Sequence, residues 1–157
     1  MEKKIRRTVT AVAGLAAAGA VLAACGTSTV SGVGTVLVDS AGMALYFTDS
    51  DHGAAVSCTG ACTDVWLPAL TSGTSVPSGS AAGVTVVKRS DDGKEQLAYQ
   101  GKPLYEFKED TMAGRVTGNG AHDMFGDTAF TWHAAVVAGT ASSSAPPLAA
   151  EPFPVTE

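Results

Sequence analysis

Across residues 34–137 the apolar side chains come in short alternating runs, and each run ends at Gly, Ser, Asp or Asn. A period of two is the spacing of a strand with one buried face. Val36 and Val38 alternate within residues 35–39, Ser40-Ala41-Gly42 turns the chain, and residues 43–48 continue it, which predicts a hairpin. Residues 84–89 and 94–100 flank Ser90-Asp91-Asp92-Gly93, where Asp and Gly tolerate the left-handed backbone of a tight turn. Gln100-Gly101 then turns the chain into a strand over 103–107, and residues 130–137 form a last strand. Only residues 62–66 read as a helical turn. The expected fold is all-β, a small antiparallel domain.

The same pattern occurs twice. Gly42, Leu45, Tyr46 and Asp51 recur 59 positions later as Gly101, Leu104, Tyr105 and Asp110. Each copy reads as a turn glycine, a strand ending in Leu-Tyr and an acid where the strand gives out. A tryptophan follows each, Trp66 and Trp132. Two related β-hairpin units with pseudo-twofold packing are therefore expected.

The ends of the chain have another texture. Lys3, Lys4, Arg6 and Arg7 precede residues 8–24, a small-residue apolar run too short for a stable span, and Leu22-Ala23-Ala24-Cys25 closes it. This reads as a cleaved helical signal peptide over 1–24 with lipidation at Cys25, which gives an exported protein fixed to the cell membrane by two or three acyl chains. Arg6-Arg7 is followed by Thr8-Val9-Thr10, which leaves the export route open between the general secretory and twin-arginine systems. Residues 25–33 have the makeup of a flexible tether, and residues 138–157, rich in Ser, Ala and Pro, that of a disordered tail.

Loss of residues 1–24 takes away four of ten basic residues and one of fifteen acids. Six bases against fourteen acids remain, a net charge of −8, which argues against nucleic acid as a partner. A chain this short supports one domain, expected to be monomeric.

Cys58 and Cys62 are left as a CxxxC pair in an exported protein, where a disulfide is expected. A loop this short gains only about 2 kcal/mol from chain entropy. Tyr46, Phe47, Tyr105, Phe107, Trp66 and Trp132 serve either as core or as an aromatic platform for a ligand. Asp51 and Asp110 at equivalent positions invite a paired-carboxylate reading, against the commoner use of a strand-end acid as an acceptor for turn amides. His122 and Met124 are candidate copper ligands, since imidazole and thioether suit that metal. Gly114–Gly120 lacks the Lys-Ser/Thr of a phosphate loop and reads as a long irregular loop where a binding function would sit. There is no nucleophile elbow and no HExxH, so no enzyme is expected, and no cofactor.

Tyr105-Glu106-Phe107-Lys108-Glu109-Asp110 satisfies the pattern Yx(FWY)xxD, preceded by Gly101-Lys102-Pro103-Leu104. Tyr46 and Asp51 keep the spacing in the first copy, with Thr48 in place of the second aromatic. Together with Cys58, Cys62 and Trp66-Leu67-Pro68, these residues resemble a bacterial lipoprotein family known by that motif, a secreted repeat of unknown function. The resemblance implies a membrane-tethered β-rich domain over 34–137 and no activity. The expectation is a noncatalytic binding or accessory module whose ligand is unspecified. The alternative is a redox or copper-handling protein using Cys58, Cys62 and a histidine.

Overall fold

The computed structural model describes residues 25–137. The signal peptide and the tail expected over 138–157 lie outside the described residues.

Eleven strands and one 3-10 turn make up the domain. The strands are β1 (Gly26–Val30), β2 (Gly34–Val38), β3 (Leu45–Thr48), β4 (Trp66–Pro68), β5 (Leu70–Thr71), β6 (Val84–Lys88), β7 (Glu95–Tyr99), β8 (Lys102–Pro103), β9 (Tyr105–Phe107), β10 (His122–Phe125) and β11 (Thr128–Ala134). All pair antiparallel, in a β1-β2 hairpin, a five-stranded sheet ordered β10-β11-β3-β9-β4, and a third sheet ordered β5-β7-β6 with β8 also on β7.

The expected β6–β7 hairpin forms, with Val84 opposite Tyr99 and Lys88 opposite Glu95. The first expected hairpin does not. β2 pairs with β1 along its whole length, and only a single bridge, Val38 to Ala44, joins it to the segment before β3. The flexible tether is corrected by the same pairing, because Gly26–Val30 is a strand. Its Thr and Ser side chains are polar enough to look unstructured, but alternate positions of β1 are half-buried and Val30 packs on the core. The strand expected over 103–107 divides at Leu104, whose N–H donates to Leu97 and whose carbonyl accepts from Ala69, so that β8 and β9 belong to different sheets. The helical turn is a 3-10 turn over Gly60–Asp64.

The repeat is a pseudo-twofold at the level of single hydrogen bonds. β3 and β9 lie side by side with Tyr46 opposite Tyr105. On one flank Trp66, Leu67 and Pro68 pair with Phe107, Glu106 and Tyr105; on the other Trp132, His133 and Ala134 pair with Thr48, Phe47 and Tyr46. These are the same ladder, its central strands 59 residues apart and its flanking strands 66. Leu37 donates to Ala135 and Ala135 to Leu45, both at 2.8 Å; Leu97 donates to Ala69 at 2.8 Å and Ala69 to Leu104 at 2.9 Å.

Alternation sends neighbouring residues of these strands into two cores. Val36, Tyr46, Tyr105 and Ala134 enter an aromatic core with Trp66, Phe130, Trp132 and both cysteines of the CxxxC pair. Leu37, Leu45, Leu104 and Ala135 enter an aliphatic one with Cys25, Val84, Leu97 and Tyr99.

Candidate functional site

Asp51 and Asp110 each follow a central strand by three residues, since β3 ends at Thr48 and β9 at Phe107. The pseudo-twofold puts each acid beside the tyrosine of the other repeat. The Tyr105 hydroxyl donates to Asp51 Oδ2 at 2.5 Å, and the Tyr46 hydroxyl donates to Asp110 Oδ2. The remaining oxygens accept from the following loops: Asp51 Oδ1 from the Ser57 N–H at 2.6 Å, Asp110 Oδ1 from the Thr117 N–H at 3.1 Å and from the Thr117 hydroxyl. Asp51 is 0% exposed and Asp110 4%. Burial, then the adjacent Asp110, pushes the Tyr46 hydroxyl pKa far above its ordinary value; burial and Asp51 do the same for Tyr105. Both phenols therefore stay protonated donors. The carboxylates do accept from turn amides, as strand-end acids should, but their partners across the repeat have no local sequence signature.

The aromatic side chains form one packed column. Trp66 and Trp132 stack at 3.9 Å and 9° on the pseudo-axis, Phe107 stacks on Trp66 at 4.3 Å, and Phe130 lies beyond Trp132 at 5.8 Å. Tyr46 meets Trp66 edge-on at 5.5 Å, and Tyr105 meets Trp132 edge-on at 5.2 Å. Tyr46, Trp66, Tyr105 and Trp132 are all 0% exposed, so they are core and not a ligand platform. Phe107 is half-buried at the rim of the column. The loop Gly114–Gly120 is committed to this core as well. A Cβ on Gly118 would sit 2.7 Å from the Trp66 ring, so only glycine fits there.

The two indoles differ in one respect. Trp66 Nε1 donates to Asp123 Oδ2 at 2.8 Å, whereas Trp132 Nε1 is buried and has no partner among the described residues. Asp123 lies on β10, a strand not expected from the sequence.

Cys58 and Cys62 form a disulfide, buried against the aromatic column. Arg89, 2% exposed, reaches in from the second repeat: its guanidinium donates to the Cys58 carbonyl at 3.0 Å, to Gln96 Oε1 at 2.8 Å and to both oxygens of Asp91. Gln96 in turn donates to the Leu104 carbonyl. Asp91 is held below the usual carboxylate range by this guanidinium. Nothing in a single Arg of a turn announces burial, and sequence reasoning missed Arg89, Gln96 and Asp123.

His122 and Met124 are both exposed on one face of β10, Met124 at 71%. His122 Nδ1 lies 3.2 Å from the Thr131 hydroxyl. No group of three or more His, Cys, Asp or Glu placed to hold a metal occurs among the described residues. Cys25 is a free thiol packed among Leu37, Leu97 and Leu104, with its N–H on Ser80 Oγ at 3.3 Å. Burial and the nearby Asp39 and Glu106 push its pKa up to about 11.

On the surface, Phe47, Tyr99, Gln100, Lys102, Ala134 and Val136 line an open cleft of about 290 Å³. Lys102 Nζ stands 5.9 Å from the Phe47 ring centre, His133 packs on that ring at 5.4 Å, and His133 Nε2 pairs with Asp49 at 2.8 Å.

A family model described as a secreted repeat of unknown function matches the chain twice, over residues 27–70 and 85–136. The first match spans β1 to the start of β5 and the second β6 to β11, the two halves related by the pseudo-twofold. Among curated proteins and solved structures none matches.

Proposed function

The chain belongs to the family of secreted repeats of unknown function, and from that premise we propose that it is a lipid-anchored, noncatalytic binding or accessory module of the cell envelope. One observation carries the noncatalytic part: the side chains best suited to acid–base chemistry, Asp51 and Asp110, are sealed in the core with each oxygen accepting a hydrogen bond. Such carboxylates hold a structure together and do not meet a substrate. Cys58 and Cys62, which the redox or copper alternative would use, stand as a buried disulfide, which supports a structural role for the pair.

The anchor rests on Leu22-Ala23-Ala24-Cys25. A diacylglyceryl thioether at Cys25 requires the sulfur to leave the aliphatic core, so acylation precedes folding or turns this residue outward. For the partner surface the cleft around Phe47 and Lys102 is the best candidate, because a half-buried ring and an ammonium converge there in an otherwise acidic domain. A photo-crosslinking residue in place of Lys102, expressed in the native host, should capture an envelope component that the same residue at exposed Thr85 does not. Equal capture from both positions, or none from either, sinks the cleft as the binding surface. Separately, palmitate labelling should be lost in Cys25→Ser; label retained in that variant overturns the anchor.

A further inference from the structure

We propose that the buried chain of rings Tyr46, Trp66, Trp132 and Tyr105 is a redox site that takes up a one-electron oxidising equivalent from an oxygen-centred radical and holds it away from the surface. The four most oxidisable rings of the core touch in series, with centroid separations of 5.5, 3.9 and 5.2 Å. Electron exchange between such neighbours needs no motion of the protein. Two face-stacked indoles share a positive charge better than one, and the pair occupies the centre of the series.

The second observation is independent of packing. Three of the four rings present their N–H or O–H to a carboxylate: Tyr46 to Asp110, Tyr105 to Asp51 and Trp66 to Asp123. A phenol or indole that loses an electron becomes a strong acid. With a carboxylate already at the hydrogen bond, the proton crosses it in the same event and no charge is left in the core. For Tyr105, the O–H bond breaks, one electron passes to a peroxyl radical, the proton passes to Asp51, and the products are a neutral tyrosyl radical, the Asp51 carboxylic acid and a peroxide anion. That anion takes its proton from water. Trp132, whose N–H has no acceptor among the described residues, passes the charge without holding a proton deficit. Trp66 with Asp123 is the member of the series nearest the outside, since Asp123 is partly exposed. Burial of the tyrosines shields a radical from coupling with a second one, which is the usual end of an exposed tyrosyl.

The competing targets for an oxidant are Met112 and Met124, exposed at 56% and 71%. The test oxidises the purified protein with photogenerated tris-bipyridyl ruthenium(III), reads the radical by EPR, and maps oxidation by mass spectrometry. The expected result is a tyrosyl or tryptophanyl signal in wild type, and loss of the tyrosyl component with increased oxidation of Met112 and Met124 in the Tyr46→Phe, Tyr105→Phe double variant. Asp123→Asn, which keeps the Trp66 N–H bonded but removes its base, should shorten the life of the tryptophanyl signal. The proposal is overturned if wild type is oxidised only at the methionines without a radical. It is overturned equally if a natively folded double variant gives the same tyrosyl signal, which would then come from Tyr99.

Discussion

At the scale of single residues, buried rings and buried carboxylates hold each other in place. Truncating Trp132 or Tyr105 to Ala removes transfer energy and leaves a cavity, at about 3–5 kcal/mol. For a domain of this length about 4 °C of melting temperature goes with each kcal/mol, so both variants should melt at least ten degrees or so lower, read by circular dichroism. His122→Ala and Met124→Ala, both on the exposed face of β10, should melt within about a degree of wild type. Tyr105→Phe keeps the ring but strands one oxygen of buried Asp51, a penalty of about 1–3 kcal/mol. The tyrosines also set an alkaline limit. Their pKa values are raised by folding, so above the ordinary value of about 10 the unfolded chain releases protons that the folded one keeps. Their contribution is whole below pH about 10 and is lost as pH rises toward the folded values, with a slope approaching about 2.7 kcal/mol per pH unit for two groups. Denaturant titrations between neutral and strongly alkaline pH should show this fall in wild type and a shallower one in the double Phe variant.

At the scale of elements, the disulfide and Arg89 tie the loop before β4 to the second repeat. Reducing Cys58–Cys62 should cost only about 2 kcal/mol by chain entropy. Removing Arg89 strands the Cys58 carbonyl and Gln96 together, and Arg89→Met should cost more than the disulfide does, measured by urea unfolding. The elements differ in how far the sequence reveals them. β6 and β7 were legible because Val84, Val86 and Leu97 alternate about a Gly93 turn. β10 was not, because His122, Asp123 and Met124 carry no apolar alternation and depend on β11 for pairing. β1 was hidden for the same reason, its small polar residues being ordered by β2 rather than by their own propensity. The site was half legible. The repeat of Tyr46 and Asp51 as Tyr105 and Asp110 marked the four residues, but who bonds whom depends on β3 lying next to β9, which no local spacing states.

At the scale of the whole molecule, the two repeats share their central ladder, their tryptophan stack and both tyrosine–carboxylate bonds, so neither has a complete core of its own. The connection between them, residues 72–83, is rich in Ser and Gly and contributes no strand. A protease site introduced there should give a nicked protein whose halves stay together until denaturant is added. The central claim is that this exchange of hydrogen bonds makes two repeats one cooperative unit. Calorimetry of Tyr46→Phe tests it most directly, because the change removes only the hydroxyl that bonds Asp110 and Gly118 of the other repeat and leaves the ring in place. The account predicts a single transition, shifted down as a whole, with calorimetric and van't Hoff enthalpies equal as in wild type. Two transitions, one of them unmoved from the wild-type temperature, would contradict it.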